Sequence, residues 1–267
     1  MATTVTQKEL KVKAFNDLIE THVALAGSGP PVVFLHGAGG LTWDPFLDDL
    51  AAKFTVYAPY HPGTAGDPDA VRQLRGLWDL VLYYYELFDK LGLRSPAVVG
   101  HSFGGMVAAE LAATNPDRVS KLVLLCPIGL WRDDHPVQDW MGMKPENLYK
   151  LVFYEPEGPL AKQMTALPTE TDAKHDAIIK MTWALATTGT FVWPIPDKGL
   201  NRRMHRITAP ALIVWGKHDR LVPPIYAQEF ASRLKKSQIA MIDKAAHVPQ
   251  LEQRQQVSKL VADFLRG

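Results

Sequence analysis

Three residue types in this chain could combine to cleave a carbonyl compound: a serine, an aspartate and a histidine, each a few positions past an apolar run. Ser102 follows Pro96–Val99, Asp219 follows Ala211–Trp215, and His247 follows Gln238–Ile242. A free serine hydroxyl is a weak nucleophile near neutral pH and needs a base to take its proton. His247 suits that task because an imidazole titrates near neutrality. A carboxylate would hold the imidazole tautomer and stabilise the imidazolium. Asp219 is one candidate for it; Asp243, at the end of the next apolar run, and Asp133 or Asp134 are others.

The surroundings of Ser102 strengthen its candidacy. The stretch Val98-Val99-Gly100-His101-Ser102-Phe103-Gly104-Gly105 runs from a buried strand into a helical pattern from Met106 to Ala113. A serine on so sharp a turn sits in a strained conformation, and Gly100 and Gly104 lack the Cβ atoms that would collide there. The Phe103 N–H then lies at a helix N-terminus, where negative charge is favoured. G-x-S-x-G occurs by chance in roughly one chain in ten of this length, so the motif needs the support of its neighbours.

The elements that must position these residues alternate. Residues 10–26 read as a hairpin turning at Asn16-Asp17. Pro31–Leu35 is a short strand ending in His36-Gly37-Ala38-Gly39-Gly40, with a helix over Trp43–Lys53. Thr55–Tyr60 is a strand, and the spacing of apolar residues predicts a helix over Val71–Leu91. After the Ser102 strand and helix, Lys121–Cys126 is another strand. From Pro127 to about Thr208 the alternation lapses into helical patterns broken by proline, the clearest over Thr169–Ala186 with Thr169 or Thr171 as N-cap. It resumes with strands at Ala211–Trp215 and Gln238–Ile242 and helices at Pro224–Leu234 and Leu251–Leu265. This rhythm predicts an α/β protein with a mostly parallel sheet of about eight strands and helices on both faces. Ligands then bind outside the carboxyl ends of the strands, where Ser102, Asp219 and His247 fall.

Composition narrows the partners. The net charge is +1 over 267 residues, and no basic cluster carries interleaved aromatics, so a nucleic-acid partner is not expected. The single Cys126 excludes an intramolecular disulfide framework and sits in an apolar strand as a buried thiol. His22, His135, His175 and His205 lack metal-ligand spacing, so no metal or other cofactor is expected. Without an apolar leader or a bilayer-length apolar run, the expectation is a cytoplasmic protein with no membrane span, monomeric or homodimeric, acting on a small molecule.

Taken together, these motifs resemble the α/β-hydrolase family over nearly the whole chain, from about Leu10 to Leu265. Gly100–Gly105 looks like its nucleophile elbow and His36–Gly40 like its oxyanion loop. Gly216–Pro223 resembles its acid turn, which favours Asp219 among the acids, and His247–Glu252 its histidine turn. The resemblance implies an oxyanion hole from the N–H groups of Ala38 and Phe103, and a mainly helical cap inserted after strand 6. It implies a core domain at 1–130 and 206–267 and a cap at 131–205. His61 stands where many relatives carry an acid; it is read as structural, near the mouth of the site. A serine nucleophile argues against the relatives that dehalogenate or open epoxides through an aspartate.

Trp140 and Trp183 from the helical block, with Val222 and Val248 from the two turns, are the candidate pocket walls. The leading expectation is a serine hydrolase, a carboxylesterase cleaving an ester with an apolar portion by acyl-enzyme chemistry. The alternative is carbon–carbon hydrolysis of a ring-fission diketone, with Arg132, Arg202, Arg203 or Arg206 holding the substrate carboxylate. A small-molecule receptor with residual activity is a third.

Overall fold

The computed structural model describes residues 6–194 and 197–267; residues 1–5 of the expected core domain and 195–196 of the expected cap lie outside them. Among the described residues one sheet contains β1 (Lys8–Ala14), β2 (Ile19–Ala26), β3 (Pro31–Leu35), β4 (Thr55–Pro59), β5 (Ala97–His101), β6 (Leu122–Leu125), β7 (Ala211–Gly216) and β8 (Ser237–Ile242). The strand order is β1-β2-β4-β3-β5-β6-β7-β8. The pairs β1–β2 and β2–β4 are antiparallel and the rest are parallel. The helices are α1 (Pro45–Ala51), α2 (Leu77–Lys90), α3 (Phe103–Thr114), α4 (Pro145–Val152), α5 (Pro159–Thr165), α6 (Thr171–Val192), α7 (Leu200–Arg203), α8 (Tyr226–Ala231), α9 (Pro249–Glu252) and α10 (Arg254–Arg266).

Alternation along the central strands divides the core in two. Val98, Leu122, Leu124, Ala211 and Ile213 face α2, α3 and α8, whereas Val99, Val123, Leu125, Leu212 and Val214 face α1 and α10. Both faces of the sheet are covered, which is why these strands read as unbroken apolar runs. α3 is buried on nearly all sides, as its sequence FGGMVAAELAAT requires. Four helices, α4 to α7, occupy the chain between β6 and β7.

Several expected elements shift for local reasons. The helix over Val71–Leu91 is two elements, a 3-10 turn at Pro68–Gln73 and then α2. Leu74 is extended and Gly76 stands at the N-cap, so the break falls between apolar residues that share a helical period. α6 runs to Val192, and its N-cap is Glu170 rather than Thr169 or Thr171: the carboxylate accepts from the N–H groups of Asp172 and Ala173. The closing helix divides at Gln253 into α9 and α10, and α8 is shorter than Pro224–Leu234.

One ion pair joins α3 to the segment that returns to the sheet. Glu110, buried on α3, accepts from Arg203 Nε at 2.8 Å and Nη2 at 2.6 Å, and the guanidinium lies 4.8 Å from the Trp78 ring centroid. Removing one partner of a buried pair leaves the other uncompensated. Glu110→Ala is expected to cost about 3 kcal/mol, and the double variant Glu110→Leu/Arg203→Met to recover most of that, as read from urea denaturation midpoints.

Candidate active site

The strand order reverses at β3 and β5, which lie side by side although their connections run to opposite sides of the sheet. Such a switch point opens a crevice at the carboxyl ends of the strands. Leu35 pairs with Gly100, so the loop after β3 and the turn after β5 emerge level with each other. Ala38 and Phe103 therefore flank the same crevice. Neither N–H has an acceptor among the described residues.

Ser102 lies between β5 and α3 with φ 52° and ψ −115°, a conformation that L-residues rarely adopt. Its N–H donates to the Leu125 carbonyl at 2.9 Å, and its carbonyl accepts from Ile128 at 3.2 Å and from Met106 at 3.1 Å. Both backbone groups are thus held by β6, its following loop and α3. Gly104 packs against the carbonyl of Leu35, where a Cβ would collide.

Asp219 and His247 reach Ser102 from the ends of β7 and β8. Asp219 Oδ1 accepts from the N–H groups of Leu221 and Val222, each at 2.9 Å, which fixes the carboxylate within its own turn. The other oxygen, Oδ2, lies 2.8 Å from His247 Nδ1, and His247 Nε2 lies 2.9 Å from Ser102 Oγ. All three residues are buried. With Nδ1–H donating to Asp219, Nε2 is left free to accept the serine proton. Asp243 is exposed and paired with Lys217, and Asp133 and Asp134 are exposed.

Sequence reasoning read His61 as structural but did not foresee how the neutral histidines around this relay are bonded. His101 Nε2 donates to the His247 carbonyl at 2.8 Å, and burial pulls its pKa down to about 3. His36 Nε2 accepts from the His61 N–H at 3.0 Å, so its proton is on Nδ1, donating to the Gly37 carbonyl at 2.7 Å. His61 Nε2 in turn donates to the His36 carbonyl at 2.8 Å, and Tyr84 donates its hydroxyl to Nδ1. His61 is buried in this network rather than at the mouth of the site, and burial brings its pKa to about 4. The signal available in the sequence was the pairing of His36 and His61 at two adjacent strand ends. Cys126 lies beneath the relay, with Sγ 3.7 Å from the Ala246 carbonyl, and burial pushes its thiol pKa well up.

A cavity of about 290 Å³ opens above Ser102. The loop after β3, His101, Leu221 and Val248 form its floor; Trp140, from the loop before α4, and Leu148, Tyr149, Met164, Met181 and Leu185, from the inserted helices, close it. Of the four expected wall residues, Trp140 and Val248 line it and two do not. Trp183 is 36% exposed: Met181 and Leu185, four apart, share the inner face of α6, and a residue two positions from either points away. Val222 is buried in the core, its carbonyl accepting from Trp215 Nε1, and Leu221 takes the wall instead. None of the four arginines lines the cavity. Arg132 bonds Asp134 and Glu229, Arg203 bonds Glu110, Arg206 reaches the Thr114 carbonyl and Arg202 is exposed.

The family model described as the alpha/beta hydrolase fold matches residues 30–253. A 2-hydroxy-6-oxononadienedioate/2-hydroxy-6-oxononatrienedioate hydrolase of Pseudomonas putida is 31% identical, over 94% of this chain and 91% of the relative. A pimeloyl-[acyl-carrier protein] methyl ester esterase of Aromatoleum aromaticum is 26% identical, over 89% of this chain and 99% of the relative. The solved 2-hydroxy-6-oxo-6-phenylhexa-2,4-dienoate hydrolase of a Rhodococcus species superposes with a TM-score of 0.79 at 22% identity, over 99% of this chain and all of that one. Among the described residues no helix is long and apolar enough to cross a membrane.

The buried imidazoles make stability depend on pH. Unfolded, His61 regains its ordinary pKa of 6.5; folded, it stays neutral down to about 4. Between those values the unfolded chain binds the extra proton, so His61 makes stability rise with pH, its contribution being complete above 6.5. Asp44, lifted from 3.8 to about 6 by burial, acts in the opposite sense below pH 6. The comparison with His61→Asn isolates one proton. As pH falls from 6.5 to about 4, the wild type is expected to lose about 1.4 kcal/mol per pH unit relative to that variant, as read from urea midpoints across the range.

Proposed function

The chain belongs to the α/β-hydrolase fold family, and on that premise we propose that it is a serine esterase acting on an uncharged, largely apolar carboxylic ester. The observation that carries this reading is the relay from Ser102 Oγ through His247 to Asp219, at 2.9 and 2.8 Å, beneath an apolar cavity. Ser102 attacks the carbonyl carbon while His247 Nε2 takes its proton. The oxygen that gains charge is held by the N–H groups of Ala38 and Phe103, donors that in such sites are worth on the order of 10²–10³ in turnover each. His247 then protonates the departing alcohol. Water, deprotonated by the same imidazole, attacks the acyl-enzyme and releases the acid and Ser102. Asp219 keeps Nδ1 protonated throughout.

In this reading residues 131–205 act as a cap that selects the substrate, and 1–130 with 206–267 as the core that performs the chemistry. Support for the division comes from the cavity, whose floor is built from strand ends and whose walls come from the inserted helices.

A second reading has the relatives behind it. Dienoate hydrolases recur among them, and hydrolysing such a ring-fission diketone breaks a carbon–carbon bond; on the relatives alone this stands ahead of ester cleavage. Serine attack and the oxyanion hole serve both reactions. The dienoate substrate carries a carboxylate, and burying an unpaired charge is costly. The cavity lining has no lysine or arginine among the described residues and includes Asp44. That favours a neutral substrate.

The two readings separate in one assay, with nitrophenyl esters of graded chain length beside a chromogenic ring-fission dienoate. Ester turnover with the dienoate inert is expected; turnover of the dienoate alone would overturn the ester reading. Ser102→Ala and His247→Ala are each expected to lower turnover by at least about 10³-fold with the fold intact by circular dichroism. A fluorophosphonate should label the wild type and not Ser102→Ala.

A further inference from the structure

The inserted segment touches the relay through the backbone of His247 itself. The His247 N–H donates to the carbonyl of Val152, the last residue of α4, at 2.9 Å. Its carbonyl accepts from His101 Nε2 on the opposite side. The base is therefore fastened at one end to the nucleophile turn and at the other to the helical insertion.

What fixes Val152 is a clamp made by two side chains from the catalytic loops. The last carbonyls of a helix have no partners within it. At the end of α4 the guanidinium of Arg220 supplies donors: Nη1 reaches the carbonyls of Lys150 and, at 3.3 Å, Phe153, and Nη2 that of Tyr154 at 3.2 Å. A cation also complements the negative end of the helix. Among the described residues Arg220 has no carboxylate partner within ion-pair distance, so the clamp is its engagement. Glu252 completes the corner, with Oε1 accepting from the Tyr154 N–H and Oε2 from the Ala246 N–H, each at 2.6 Å. Arg220 adjoins Asp219, and Ala246 adjoins His247. One corner of the insertion, residues 152–154, is thus tied to both the acid loop and the base loop.

We infer that Arg220 is a positioning residue for the reaction: by holding the end of α4 it keeps the Val152 carbonyl where it fixes His247, so the imidazole stays in line with Ser102. The inference rests on the reading of Ser102 and His247 as nucleophile and base. Without the guanidinium, three carbonyls lose this donor and, of the two side chains, Glu252 alone still holds the corner, at Tyr154, which loosens the end of α4. The acceptor for the His247 N–H then moves with it. A displacement of about 1 Å at a reacting group can cost about 10²-fold in rate. The cavity walls on α5 and α6 are not part of the clamp, whereas Val152 and Phe153 line the cavity and move with it, so the loss in rate is accompanied by a smaller loss in substrate affinity.

The test compares wild type, Arg220→Met and Arg220→Lys by kcat and KM on nitrophenyl butyrate, by the second-order rate of fluorophosphonate labelling, and by Tm. For Arg220→Met, kcat and the labelling rate are expected to fall together by about 10- to 100-fold, with a smaller rise in KM from the α4 part of the wall. Arg220→Lys, which keeps the charge without the fork, should recover part of both. A labelling rate equal to wild type in Arg220→Met, or a change confined to KM or Tm, overturns the inference. If Arg220→Met does not fold, Arg220→Lys decides the matter: a lowered labelling rate at native Tm supports the clamp, and a wild-type rate overturns it. Failure of the wild type to label overturns the reading of Ser102 instead, and the labelling arm distinguishes the two whatever bond the enzyme cleaves.

Discussion

The closeness with which the first turn of α3 approaches the ends of β3 and β5 sets everything else in the site. Gly104 lies against the carbonyls of Leu35 and His36, Gly100 lies against the backbone of Gly104 and Gly105, and Gly105 packs on Pro127. A side chain at any of the three would push the helix away from the sheet. The N–H of Phe103 would then part from that of Ala38, and the oxyanion hole proposed for this pair needs them to converge. The strained φ of Ser102 is sustained by the same packing, because its backbone is bonded on both sides to β6 and the loop beyond it.

Around this turn the imidazoles other than His247 are held as neutral groups. His61 donates through its backbone N–H to a ring nitrogen of His36 and through its own ring to the His36 carbonyl, and His101 donates to the His247 carbonyl. Each is kept neutral by burial. A cationic imidazole at any of these places would oppose formation of the His247 imidazolium. The buried histidines therefore serve the loops as neutral hydrogen-bonding groups, and the Asp219 carboxylate stands behind His247.

Chemistry and selectivity have separate origins in the chain. The strand ends carry Ser102, Asp219 and His247, the residues proposed to perform the reaction, whereas α4, α5 and α6 supply most of the apolar wall. The two parts are nonetheless joined, through Arg220 and Glu252, beside His247. The family permits several reactions of one carbonyl chemistry. On the reading proposed above, discrimination between a neutral ester and an anionic dienoate turns on a cavity lining without a cation among the described residues, a property of the walls rather than of the relay.

The amino-acid sequence by itself determined the strand-helix rhythm, the parallel sheet and the order of the four motifs. Each of these is local: an apolar run of five residues, a glycine pair, a loop composition. Asp219 and His247 were legible because each follows such a run, and at a strand end the side chains have a common direction to reach. Only the tertiary structure decided which side chains meet. Trp183 and Trp140 are alike in sequence, yet one lies on the outer face of α6 and the other in the cavity wall. Leu221 and Val222 are adjacent, and the turn held by Asp219 sends one to the cavity and the other to the core. The break before α2, the capping role of Glu170, the neutral histidine pairs and the Arg220 clamp were equally hidden. The Glu170 cap turns on which of three adjacent side chains reaches back to the first N–H groups, and the others on contacts between distant residues or on a backbone angle; hydrophobic period carries no information about any of these.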